Sequence, residues 1–162
     1  MEMKRIVVGL DGSAEAARAL EWAADLASLT GAEITVVTVF DAGPYMSWGM
    51  APVYLPDFEQ LRAGLQEDLD SWCEPLRSRG VAHHPVVREG SAAAELLKEA
   101  DSEPTDLIVV GSRGRGGFRE LLLGSVAHHV TQHSKHPVVV LPRSAVRAEA
   151  EAPATATAAA TA

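Results

Sequence analysis

The chain of 162 residues contains a single cysteine and no long apolar run. Cys73 cannot form a disulfide within the chain, and one cysteine in a chain of this length fits a reducing compartment. No stretch approaches the roughly 20 apolar residues of a membrane span, and the first apolar run, Ile6 to Leu10, is too short for a secretory signal. These absences predict a cytoplasmic protein without a membrane segment.

Positive charge is scarce as well. The chain has 14 Lys and Arg residues against 22 Asp and Glu residues, which gives a formal net charge of −8. A surface of this sign repels phosphate backbones, so general nucleic-acid binding is not expected. Against this background Arg113 and Arg115 stand out, because both lie in one glycine-rich segment.

Apolar segments rich in Ile and Val alternate along the chain with segments of helical periodicity. The strands are apolar throughout rather than alternating, which is typical of a parallel sheet that helices cover on both faces. The predicted strands are 5–10, 33–40, 81–88, 106–111 and 137–141, and the predicted helices are 14–29, 57–79, 91–100 and 125–134. The fold class is therefore α/β, with a five-stranded parallel sheet whose ligands bind beyond the carboxyl ends of the strands.

Some segments are predicted to depart from this regular pattern. Residues 41–56 carry two glycines and three prolines, so we predict a long, partly mobile loop. Pro85 favours an edge position for the third strand, and Pro75 is expected to distort the end of the second helix. The chain therefore divides into a domain of residues 1–144 and a disordered Ala/Thr-rich tail of residues 145–162, which has too few large apolar residues to offset its ordering entropy.

The segment that indicates chemistry is residues 111–125, which read GSRGRGGFRELLLGS. Gly111 and Gly114 are expected to permit positive φ angles and a close approach of the backbone to a ligand. Consecutive amides in such a loop can hold an anion. Gly124 and Ser125 begin a helix whose free N–H groups favour phosphate.

The same segment is neither a Walker loop nor a dinucleotide fingerprint, because its spacing is Gly-x2-Gly-x9-Gly-Ser. Arg113 and Arg115 add guanidinium groups, which suit bidentate contact with phosphate. The alternative interpretation is a surface loop in which the glycines only make turns.

This spacing resembles that of the universal stress protein family, ATP-binding type. The opening IVVGLDGSAEAARALEWA, the segment DLIVVGSRGRGGFRELLLGSVA and the last strand HPVVVLP extend the resemblance over residues 4–142. It implies a Rossmann-like, adenine nucleotide α-hydrolase-like sheet with strand order 3-2-1-4-5. It also implies a homodimer through strand 137–141, ATP with Mg²⁺ as cofactors, and a stress-response regulator with a protein partner that the sequence does not identify.

The resemblance also implies ATP-binding residues at the positions that match the family's pattern, which are Gly9, Asp11, Val39, Gly111, Arg113, Gly114, Gly124, Ser125 and Val126. Ser112 and Arg115, in the same glycine-rich segment, complete the predicted ATP-binding set. Val39 matches a residue whose backbone contacts adenine. Asp11 would accept from ribose hydroxyls or act as an outer ligand of Mg²⁺, and the alternative is a turn-forming Asp before Gly12.

Two other functions compete with an ATP-dependent regulator. An ATPase or adenylyl-transferring enzyme would use Arg113, Arg115 and Asp11, but a positioned base is not evident, so any hydrolysis is expected to be slow. An interaction module without nucleotide would not need the intact glycine spacing. A metal site on His129 and His133 is disfavoured, because zinc needs a third ligand and usually a fourth.

Overall fold

A computed structural model of the protein describes residues 2–41, 57–114 and 123–142. The predicted tail, Arg115 and all of the predicted loop except Asp41 lie outside these residues. The described strands are β1 Arg5–Gly9, β2 Glu33–Phe40, β3 His83–Glu89, β4 Leu107–Gly111 and β5 Val138–Leu141. The described helices are α1 Ala14–Thr30, α2 Phe58–Trp72, α3 Glu74–Ser78, α4 Ala92–Ser102 and α5 Ser125–His133.

The five strands form one parallel sheet in the order β3-β2-β1-β4-β5, as predicted. The central strand shows why its sequence is apolar throughout. Ile6 and Val8 face the cluster formed with α1, α2 and α3, whereas Val7 faces the cluster formed with α4 and α5. Because successive side chains of a strand point to opposite faces, both faces of β1 need apolar residues.

The predicted helix 57–79 is in fact two helices, and this part of the prediction is wrong. α2 ends at Trp72 and α3 begins at Glu74, with Cys73 between them. Pro75 lies in the first turn of α3, where its missing N–H would have no intrahelical partner in any case. The chain therefore accommodates the proline by starting a new helix rather than by distorting the end of a long one.

The outer strands are β3 and β5. The edge position predicted from Pro85 is confirmed, although β3 begins at His83 rather than at Val81. Among the described residues, no segment pairs with the outer edge of β5, whose four residues are all partly exposed. In the described part of the chain, no helix combines the length and the apolar character needed to cross a membrane.

A buried ion network ties α4 to the sheet. The Nη2 atom of Arg5 lies 3.2 Å from Oε1 of Glu99, and the two residues are only 5 % and 7 % exposed. Arg88 donates from Nε to the other carboxylate oxygen of Glu99 at 2.9 Å, and Arg5 donates from Nε to Thr35 Oγ1 at 3.1 Å. One carboxylate on α4 thus bridges the start of β1 and the end of β3.

Candidate functional site

A cavity of about 750 Å³ opens at the carboxyl end of the sheet, where β1, β2 and β4 end and where α4 and α5 begin. Nine of the predicted site residues line it: Gly9, Asp11, Val39, Gly111, Arg113, Gly114, Gly124, Ser125 and Val126. Ser112 does not line it, and Arg115 lies outside the described residues. The predicted residues therefore converge on one place even though they come from three distant segments of the chain.

Asp11 connects the loop after β1 with the loop after β4. Its Oδ1 atom accepts a hydrogen bond from the Ser13 amide at 2.9 Å, which is the turn geometry that an Asp in this position favours. Its Oδ2 atom lies so close to Gly114 that a Cβ added there would be 2.4 Å away from it. Asp11 therefore shapes the turn and also presents its carboxylate to the cavity.

Gly111 and Gly114 do not have positive φ angles, so that part of the prediction is wrong. What each position needs is space. A Cβ on Gly111 would lie 2.8 Å from the Glu15 carbonyl carbon and 2.9 Å from the Ala16 nitrogen, both backbone atoms of the first turn of α1. Gly111 therefore lets α1 lie against the end of β4, whereas Gly114 makes room for the Asp11 carboxylate.

The first turn of α5 has no side-chain cap. Gly124 occupies the N-cap with extended backbone (φ −71°, ψ 165°), and its own amide donates to the Ser112 carbonyl at 2.7 Å. By contrast, α1 is capped by Ser13, whose Oγ accepts from the Ala16 amide at 3.2 Å. Among the described residues, no N-cap side chain accepts from the amides at the start of α5 beside the cavity, and the helix dipole makes this end attractive to an anion.

The role of Ser112 is structural. Its amide donates to the Leu141 carbonyl at 2.7 Å, and its carbonyl accepts from Gly124 at the same distance. Ser112 is only 6 % exposed and is placed between β5 and the start of α5. It therefore positions Gly124 and does not reach the cavity.

Part of the cavity lining, the apolar wall, is aliphatic. Val37 and Val39 of β2, Ala92 and Leu96 of α4, and Leu65 of α2 contribute to it. The lining thus combines the start of α5 and Arg113 with aliphatic surface. Such a lining suits a ligand with an anionic end and a flat, weakly polar end.

A profile of the Universal stress protein family matches residues 2–142 of the chain. The chain belongs to this family. Universal stress protein YxiE of Bacillus subtilis (strain 168) is 32% identical over 144 residues, which cover 85% of this chain and 97% of YxiE. The family predicted from the glycine spacing and the opening segment is confirmed.

Solved structures of universal stress proteins and related chains share the fold. The hypothetical protein MJ0577 has a TM-score of 0.75 at 26% identity, over 90% of this chain and 99% of that one. A universal stress protein in complex with cAMP has a TM-score of 0.68 at 25% identity, over 89% and 100% of the two chains. The predicted Rossmann-like α/β sheet is thereby confirmed.

The sequence did not reveal several residues that line the cavity of this universal stress protein. Among them are Thr38, Asp41, Leu65, Ala92, Leu96 and Val110. Ala92 could have been found, because it begins the helix that follows β3 and so lies at the carboxyl end of the sheet. Leu96 follows one turn later on the same face of α4. Leu65 carries no such signal, since its place depends on how α2 crosses the sheet.

His129 and His133, for which the sequence disfavours a metal site, lie towards the carboxyl end of α5. The rings of His129 and His133 stack with centroids 4.2 Å apart, and Nδ1 of His133 lies 2.9 Å from the His129 carbonyl oxygen. No group of three or more His, Cys, Asp or Glu residues able to hold a metal occurs in residues 2–41, 57–114 and 123–142.

Cys73 is fully buried, and burial raises the pKa of its thiol to about 11.

Proposed function

We propose that this universal stress protein binds ATP together with Mg²⁺ in the cavity and acts as a nucleotide-dependent regulator in the stress response. The observation that carries the proposal is the uncapped start of α5 beside Gly114 and Arg113, in one lining with the apolar wall. The volume of about 750 Å³ falls in the range of small-molecule sites. That a related universal stress protein was crystallised with cAMP supports an adenine nucleotide as the ligand class.

Each part of the nucleotide has a partner of suitable chemistry in this arrangement. The phosphates would lie at the amides of Ser125 and Val126, with the guanidinium of Arg113, and with that of Arg115 as a further predicted contact. The adenine ring would lie against the apolar wall and bond the main chain of Val39. Asp11 would accept from the ribose or hold the hydrated Mg²⁺.

A regulator is favoured over a fast enzyme by the side chains around the cavity. Among the described lining residues, the ionisable side chains are Asp11, Asp41 and Arg113. Phosphoryl transfer needs a positioned base or a water-orienting residue in addition to a charge clamp. Oδ1 of Asp11 accepts the Ser13 amide, and we assign this carboxylate to the ribose or the hydrated Mg²⁺ rather than to proton transfer.

We expect calorimetric titration with Mg-ATP to show one site per chain and Asp11→Ala to weaken binding about tenfold. ATP turnover should stay below about 1 s⁻¹, the lower end for phosphoryl-transfer enzymes. Asp25→Ala is the matched control, because Asp25 pairs with Arg79 on the exposed side of α1 and should leave ATP binding unchanged. Turnover above that rate that depends on Asp11 would favour the ATPase. Absence of binding at millimolar Mg-ATP would contradict the proposed function.

The homodimer remains a proposal that β5 supports. The Pro137 carbonyl accepts from Ile108 of β4, and the Leu141 carbonyl accepts from Ser112, just after β4. Because the direction of the main-chain groups alternates along a strand, those of Val139 also face β4. Val138 and Val140 therefore turn theirs outward, and an unpaired edge of this kind is an aggregation hazard unless it is covered. A second copy pairing antiparallel across a two-fold axis would cover it.

Sedimentation of the full chain should therefore give the mass of a dimer. Val140→Pro removes an outward amide and should give a monomer, because proline cannot donate to the second strand. Circular dichroism should show that the sheet of the variant persists. A monomeric wild-type protein would contradict this mode of assembly.

A further inference from the structure

The ladder of main-chain hydrogen bonds between β1 and β2 ends at Leu10, at the mouth of the cavity. Glu33 donates to Lys4 at one end of the ladder, and Leu10 donates to the Val37 carbonyl at 2.9 Å at the other end. In parallel pairing, the next bond would run from the Val39 amide to the Leu10 carbonyl. That bond does not occur in the described part of the chain.

The hydroxyl of Thr38 takes the place of this missing bond. It donates from Oγ1 to the Leu10 carbonyl at 2.7 Å, and Thr38 is 2 % exposed. A buried carbonyl without a donor is destabilising, so some group has to satisfy it. Because a side chain does so, the Leu10 carbonyl does not need the Val39 amide to be satisfied.

The orientation of Val39 follows from the alternation along β2. Phe40 accepts from Gly90 and Ile34 donates to Ala82, so even-numbered residues of β2 bond towards β3. Odd-numbered residues bond towards β1, as Val37 does through its carbonyl. The N–H and C=O groups of Val39 therefore face the space that β1 vacates after Leu10, and Val39 lines the cavity there.

We propose that Thr38 is a positioning residue for base recognition, which keeps the Val39 N–H and C=O groups available to the adenine edge; this rests on the proposed ATP site. A donor beside an acceptor matches the N1 acceptor and the N6 amino donors of adenine. Guanine presents a donor at N1 and an acceptor at O6, so the same pair of groups rejects it. Thr38 thus supports selection of ATP over GTP through the main chain of Val39.

Thr38→Val tests this inference, because it keeps the shape of the side chain and removes the hydroxyl. The Leu10 carbonyl is then expected to recruit the Val39 amide and extend the ladder by one bond. We expect the Kd for Mg-ATP to rise about tenfold and the preference for ATP over GTP to fall by a similar factor. Thr38→Ser retains the donor and should stay within about twofold of the wild type.

A second measurement needs no nucleotide. In the free protein, amide exchange followed by NMR should be at least tenfold faster at Val39 than at Val37, and Thr38→Val should slow it at Val39 by about tenfold. Thr35→Val is the matched control, because it removes another buried hydroxyl of β2 that lies at the far end of the strand, beside Arg5. It should change neither the ATP preference nor the exchange at Val39.

The two readouts separate this inference from the proposed function. If the wild type binds no ATP, the proposed function fails, whereas exchange at Val39 still tests whether Thr38 frees that amide. If Thr38→Val keeps the wild-type ATP preference, the inference is wrong. Weaker ATP binding without slower exchange at Val39 also overturns it, because Thr38 would then act through the Asp11 loop instead.

Discussion

Gly114→Val is expected to weaken Mg-ATP binding by roughly 10- to 100-fold while the sheet stays folded. A Cβ at this position would lie 2.4 Å from Oδ2 of Asp11. The carboxylate therefore has to move away, and rotating it breaks the hydrogen bond that the Ser13 amide donates to its Oδ1. The substitution therefore displaces a carboxylate from the cavity and places aliphatic bulk beside the start of α5. Titration calorimetry measures the loss of affinity, and thermal unfolding checks the fold.

Two other glycines provide the comparison. Gly64 on α2 has nothing within 4 Å of an added Cβ, so Gly64→Val should leave ATP binding unchanged. Gly111→Ala should instead lower the free energy of unfolding by about 1–3 kcal/mol, because its Cβ would meet backbone atoms of Glu15 and Ala16 that cannot rotate away. Wild-type affinity in Gly114→Val would show that ATP binds elsewhere. A double-mutant cycle with Asp11→Ala should show that the two effects are not additive.

The sequence predicted the sheet well, and it singled out residues that lie around one cavity, because both depend on local patterns. The apolar run at Ile6–Leu10 has one interpretation in an α/β chain, and residues after β1, β2 and β4 must meet at the carboxyl end of the sheet. The glycine spacing was informative as well, since Gly124 lies beside Gly114 although ten positions separate them in the sequence.

What the sequence could not predict depends on contacts between distant segments. Positive φ was the obvious reason for Gly111 and Gly114, yet the actual reasons are the proximity of α1 and of Asp11, which no local pattern shows. Ser112 lies within the motif but faces Leu141 and Gly124 rather than the cavity. Thr38 reads as an ordinary strand residue until the position of the Leu10 carbonyl is known.

The network at Glu99 is another feature that the sequence did not reveal, and it carries the largest expected effect on stability. Glu99→Ala should lower the free energy of unfolding by about 3–5 kcal/mol, because the buried charge of Arg5 would lose its buried carboxylate and keep only the exposed Glu103, 3.7 Å from its Nε. Arg88 contributes less to this cost, since its side chain is 45 % exposed and can turn towards water. A loss of this size is a large fraction of the stability of a small domain. Urea denaturation measures it.

The cost should come from the unpaired charge rather than from the lost attraction, and a second variant separates the two. Arg5→Met combined with Glu99→Leu removes both charges and should recover most of the lost stability, because replacing a buried pair by apolar residues of similar size is often neutral. Asp25→Ala breaks the exposed pair with Arg79 and should cost less than about 1 kcal/mol. If the double variant were as unstable as Glu99→Ala, the hydrogen bonds of Arg5 to Thr35 and Thr105, rather than charge balance, would hold α4 to the sheet.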